Sequence, residues 1–123
     1  MIHVANLDAL LIEKKWLDVN EKVILTDERI GHIIDGHRED YETYGSFIGN
    51  AIEKPMFILV DAKNENTALY IGKADDTSIN VVVKLAFLKN EDHPCSSVIT
   101  MYRCGEKRLR RLIKNNEMLY KRE

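Results

Sequence analysis

From Met56 onward the apolar residues stop recurring at helical intervals and begin to recur at every second position, a change of period that limits the fold more than any other feature of the chain. Met56 to Asp61, Thr67 to Lys73, Ile79 to Leu88 and Ser97 to Cys104 are rich in Val, Ile, Thr and aromatic residues. Polar turns such as Asp61-Ala62-Lys63-Asn64 and Ala74-Asp75-Asp76 separate them. Connections this short favour antiparallel neighbours and leave no room for the crossovers of a doubly wound sheet.

Helical signals flank this block. Thr26 followed by Asp27 and Glu28 suits a cap and the positive end of a helix dipole, so a helix is expected from Asp27 to Arg38. Phe47, Ile48, Ala51 and Ile52 form the stripe of a second helix that ends before Pro55. In residues 1–25, Val4 to Trp16 reads as a strand running into a helix, and Val23-Ile24-Leu25 as an extended segment. After Gly105, Glu106 to Leu119 returns to a helical pattern, with Leu109, Leu112 and Ile113 on one stripe and Lys107, Arg108, Arg110, Arg111 and Lys114 around the rest. The expected architecture is α+β: N-terminal helices packed on a four-stranded antiparallel sheet, with a basic C-terminal helix, in one domain over 1–123.

A chain of 123 residues, 45% hydrophobic and 31% charged, has material for one core and one recessed site, which excludes a multidomain enzyme with a built-in cofactor domain. No apolar run approaches the roughly 20 residues that span a bilayer, and the start lacks a basic n-region, so a cytoplasmic, unprocessed protein without membrane contact is expected. Cys95 and Cys104 are too few for a disulfide scaffold or a zinc quartet. The net charge is −2, yet residues 102–123 hold eight Lys or Arg against three Glu. Local clusters of this sign contact phosphates whatever the charge of the whole chain, although a solvated helix face looks the same.

On the predicted helix Ile30, Ile33, Ile34 and His37 share a stripe, whereas His32 lies nearly opposite. The two imidazoles cannot meet on one metal at that spacing, and no His-Glu-x-x-His set exists, so neither a metal site nor a cofactor is expected. His3 and His93 fall in irregular sequence and take no role. Alternation in Ile79 to Leu88 puts Asn80, Val82, Lys84 and Ala86 on one face, which leaves Lys84 a lone charge in an apolar strand. Thr100 and Tyr102 share a face, alternating with Ile99 and Met101, and neighbouring strands would bring Lys84, Thr100 and Tyr102 into one polar cluster. Lys84 and Arg29 suit stabilisation of a phosphorane, Thr100 a phosphate oxygen, and a histidine the proton transfers. Those are the parts of a metal-free ribonuclease, which requires RNA because the ribose 2′-OH is the nucleophile.

Several strings together resemble a known group. They are Ile24-Leu25-Thr26-Asp27-Glu28-Arg29-Ile30-Gly31-His32-Ile33 followed by His37, Ile52 to Ile58, Asn66-Thr67-Ala68, Val81-Val82-Val83-Lys84-Leu85, Ser97-Val98-Ile99-Thr100, and the ending Leu119 to Glu123. In this order, over about residues 22–123, the chain is similar to the phage-associated and bacterial nuclease-like domains of the Barnase/EndoU/colicin/RelE superfamily. The resemblance implies a metal-independent endoribonuclease of toxins or phage-borne effectors. Arg29, His32 and His37 match the helix motif, Lys84 a basic strand position and Thr100 the hydroxyl of the final strand. The expected catalytic set is therefore His32, His37, Lys84 and Thr100, with Arg29, Tyr102, Arg108 and Arg111 binding the substrate. The expected substrate is structured RNA, tRNA among the candidates, cut to a 2′,3′-cyclic phosphate, with an antitoxin or immunity protein as a second partner. The competing expectations are an inactive RNA- or protein-binding module on the same fold, and an interaction protein whose acidic half meets a basic partner.

Overall fold

Period-two alternation from Phe57 to Arg103 forms an antiparallel meander, but that meander is the middle of a wider sheet. The computed structural model describes residues 2–89 and 95–123, so His93 lies outside the described residues. In chain order the elements are β1 (Ile2–Asn6), β2 (Lys22–Leu25), α1 (Asp27–Tyr44), α2 (Ile48–Glu53), β3 (Phe57–Val60), β4 (Thr67–Ala74), β5 (Thr77–Lys84), β6 (Ser96–Arg103), α3 (Glu106–Asn115) and β7 (Met118–Lys121). The α+β sheet has seven strands in the order β1-β2-β6-β5-β4-β3-β7. All neighbours are antiparallel except β2 and β6, which makes it mixed.

The four-stranded antiparallel expectation is thus too small. β1 and β2 extend one edge and β7 the other. The chain also enters through strands and not through helices, because Ile2 to Asn6 and Lys22 to Leu25 pair with each other around a short 3-10 turn at Ala9–Ile12. The terminal helix stops at Asn115, short of Leu119: Asn116 turns to extended backbone and its Nδ2 donates to the Leu112 carbonyl at 2.9 Å. That frees Met118 to Lys121 to pair with β3. A side chain that satisfies a helix's last carbonyls commonly ends it.

Thr26 does cap α1, its Oγ1 accepting from the Arg29 N–H at 3.2 Å, with Asp27 and Glu28 in the first turn. The helix runs past Arg38 to Tyr44 because backbone that is non-helical at His37 (φ −144°, ψ 46°) shifts the apolar stripe, and Tyr41 and Tyr44 continue it against the core.

One face of the sheet carries the main core, where Ile58, Tyr70, Val81 and Met101 meet Ile33 of α1 and Ile52 of α2. The other face carries a smaller cluster of Leu59, Leu69 and Val82, packed against Leu112 and Ile113 of α3. A bulge in β6 opposite Val82 and Val83 turns Ile99 to this second face beside Tyr102, whereas simple alternation had grouped it with Met101. No helix among the described residues is long and apolar enough to cross a membrane.

Tyr70 is fully buried and its hydroxyl has no hydrogen-bond partner among the described residues. Burial, aided by the nearby Asp8 carboxylate, pushes its phenol well above the ordinary value. Because the unfolded chain then releases this proton at lower pH than the folded one, stability holds up to about pH 10 and falls above it. Tyr70→Phe removes an unpaired polar atom, so its melting temperature at neutral pH is expected to equal or exceed the parent's, and its alkaline loss to be smaller.

Candidate active site

β2 pairs with β6 only at Ser96 and Ser97, and α1 then packs along the rest of β6. The helix also serves that strand's edge: the Arg103 N–H donates to Asp40 Oδ2 at 3.0 Å. This docking, with the break at His37, sets the imidazole against the ring of Tyr102, with centroids 5.3 Å apart and planes tilted by 34°. Arg108, in the first turn of α3, places its guanidinium carbon 4.2 Å from the centre of the same ring. A histidine from α1 and an arginine from α3 therefore both contact one tyrosine of β6, and the cation–π contact holds the guanidinium over its ring.

Beneath them lies Asn80, fully buried on β5 opposite Tyr102. Its Nδ2 donates to Tyr102 Oη at 2.8 Å, while its own Oδ1 has no partner among the described residues. A buried unpaired carbonyl costs stability, so the amide is better explained by holding Tyr102 than by packing. Strand alternation puts Asn80 on one face with Val82, Lys84 and Ala86 and assigns it no role. Its only signal was an amide set between Ile79 and Val81. Burial pushes the neighbouring Cys104 thiol up against the opposing pull of Arg108 and Arg103, which leaves it a protonated, buried side chain.

Tyr102 also forms one wall of a cavity of about 260 Å³ between the sheet and α3. Leu69, Val82 and Leu112 line its apolar part, and Asp61, Lys63, Asn64, Asn115 and Asn116 its polar part. Thr100 stands opposite Val82 on the same face, half-exposed.

The other expected residues stand apart from this point. Lys84 is four positions from Asn80 on β5, about 13 Å along the strand. Its Nζ donates to the Glu65 carbonyl at 2.9 Å, and it lines a different cavity with Ser97 and Cys95. The sheet face shared by Lys84, Thr100 and Tyr102 is real, but buried Val82 lies between its ends. His32 is on the outward side of α1, its side chain 61% exposed and 3.8 Å from the Glu28 carboxylate. Arg29, half-exposed in the first turn, is eight residues before His37, about 12 Å along the helix axis. Arg111 joins Lys107, Arg110 and Lys114 around an open, basic depression on the outer face of α3. Among the described residues no group of three or more His, Cys, Asp or Glu side chains is placed to hold a metal ion.

An α+β sheet with a proton-transfer group, a phenol and a guanidinium beside a cleft is an arrangement suited to phosphodiester chemistry. The family model described as phage-Barnase-EndoU-ColicinE5/D-RelE like nuclease2 matches residues 3–121, and the chain belongs to that family. No curated protein and no solved structure matches it.

Proposed function

We propose that the protein is a metal-independent endoribonuclease, acting as a toxin or phage-borne effector on RNA, tRNA included, in the cytoplasm. The observation that carries the proposal is that His37 and Arg108 both contact the ring of Tyr102, which itself lines the cavity. His37 takes the proton of the ribose 2′-OH as that oxygen attacks the adjacent phosphorus. Arg108 neutralises charge building on the phosphorane, and the Tyr102 hydroxyl, already accepting from Asn80, directs its own hydrogen to a phosphate oxygen. The P–O5′ bond then breaks, the 5′-oxygen takes a proton from water, and a 2′,3′-cyclic phosphate remains. Lys107, Arg111 and Lys114 hold flanking backbone, so binding is expected to weaken steadily with added salt.

The test is incubation with RNA in EDTA followed by end-group mapping. Fragments ending in 2′,3′-cyclic phosphate and beginning with 5′-OH are expected, and no cut where a single 2′-deoxy sugar replaces the ribose. Cleavage at the deoxy position, or activity only after a divalent metal is restored, would exclude the mechanism.

Asn80→Val separates positioning from folding. Loss of one hydrogen bond of about 1.4 kcal/mol predicts about tenfold slower cleavage. Removal of an unpaired buried oxygen leaves thermal stability close to the parent's. A variant that melts much earlier yet cuts at full rate would show that Asn80 serves the core.

A further inference from the structure

We propose that the cavity between α3 and the sheet seats one unpaired nucleobase bearing an exocyclic amino group, next to the phosphate held at Tyr102 and Arg108. The assignment rests on the ribonuclease function proposed above and names what that site selects. The first reason is shape. At about 260 Å³ the cavity falls just below the range that holds drug-sized ligands, which gives room for one heterocycle and not for a base pair. Leu69, Val82 and Leu112 offer the apolar surface that a base's faces need.

The second reason is the inventory of its polar wall. Both ends of the Asn116 amide are engaged: Oδ1 accepts from the Ala62 N–H at 2.9 Å and Nδ2 donates to the Leu112 carbonyl. Asn116 thereby pins the loop at 61–64 to the end of α3 and holds the wall in place. Asp61 accepts from the Lys63 N–H on Oδ1 and from Asn64 Nδ2 on Oδ2, and each oxygen keeps a lone pair. With one amide N–H turned to Asp61, Asn64 keeps its oxygen and a second N–H to offer. Asp61 is therefore the wall's charged acceptor, and Lys63, which lines the same cavity, its charged donor. The pair suits a base edge that sets an amino group beside an acceptor atom, as adenine, cytosine and guanine do, whereas uracil brings no amino group to Asp61. A paired base has already committed those donors to its partner, so the base must come from a loop, bulge or single strand.

Calorimetric titration tests this without relying on cleavage. The probes are three-residue all-deoxy oligonucleotides in which only the central sugar carries a base: adenine, cytosine, guanine, uracil or none. The best amino-bearing base is expected to bind at least about tenfold more tightly than uracil or the abasic probe, and Asp61→Asn to bring that ratio near one. Equal affinity for the abasic and base-bearing probes, or an unchanged ratio in Asp61→Asn, would overturn the assignment. If the ratio holds but RNA of any sequence survives intact, the cavity stands and the proposed catalysis fails. If RNA is cut but the five probes bind alike, the base site alone is lost.

Discussion

Replacing His37 with Ala is expected to lower RNA cleavage by about 10²- to 10⁴-fold, the usual worth of one positioned proton-transfer group, whereas His32→Ala stays within about twofold of the parent. The contrast follows from placement. His37 touches Tyr102, a residue of the cavity wall, while the His32 side chain is 61% exposed on the far side of α1, beside the Glu28 carboxylate. The loss should not come from unfolding. The half-buried His37 ring contributes one aromatic contact, about 0.5–1.5 kcal/mol, and a small domain retains its fold after a loss of that size. Steady-state kinetics on both variants, with circular dichroism to confirm the folded state, checks this. Equal losses in the two would remove His37 from its special place.

The second large effect is on stability. Gly72→Ala is expected to lower the melting temperature strongly, because a Cβ at this position would lie 2.5 Å from Ala51 Cβ and 2.6 Å from its Cα. Neither atom can swing aside, so α2 and β4 must separate. Overpacking of this kind costs about 1–3 kcal/mol, more when backbone has to move, and each kcal/mol shifts the melting temperature of a domain this size by about 4 °C. Ala51→Gly in the same chain removes the Cβ but leaves the Cα at 2.6 Å, and a helical glycine itself costs roughly 0.5–1 kcal/mol, so the double variant should remain well below the parent. A Gly72→Ala variant that melts with the parent would show that α2 and β4 do not meet at this point.

What could be read from the sequence was what is encoded locally. Thr26, Asp27 and Glu28 mark the start of α1 because a cap is satisfied within three residues, and the meander was legible because alternation and short turns are neighbourly features. The extended character of β1 and of Val23 to Leu25 in β2 was legible, but not their place in this sheet, and the start of β7 read as the end of a helix. Each has only four or five residues, and their partners are distant: Val23 pairs with Ser96, and Phe57 with Lys121. The helical stripe placed His37 toward the protein and His32 away from it, but nothing local indicates that α1 breaks at His37 or takes over the edge of β6 from β2. Asn80 could be assigned to the face it shares with Lys84, yet its burial under Tyr102 depends on contacts across two strands. The segment Asp61 to Asn64 read only as a turn. Its role as a cavity wall comes from the Asn116 side chain, fifty-four residues from Ala62.

RNA is expected to engage the protein around Tyr102, where His37 and Arg108 contact its ring. The direct measurement is nuclear magnetic resonance of the histidine ring nitrogens during titration with an RNA oligonucleotide made uncleavable by 2′-deoxy substitution. The His37 ring signals should move with saturation, accompanied by those of the Tyr102 ring and the Arg108 guanidinium, while His32 stays still. Saturable shifts at His32 or near Lys84, with His37 unmoved, would contradict the claim.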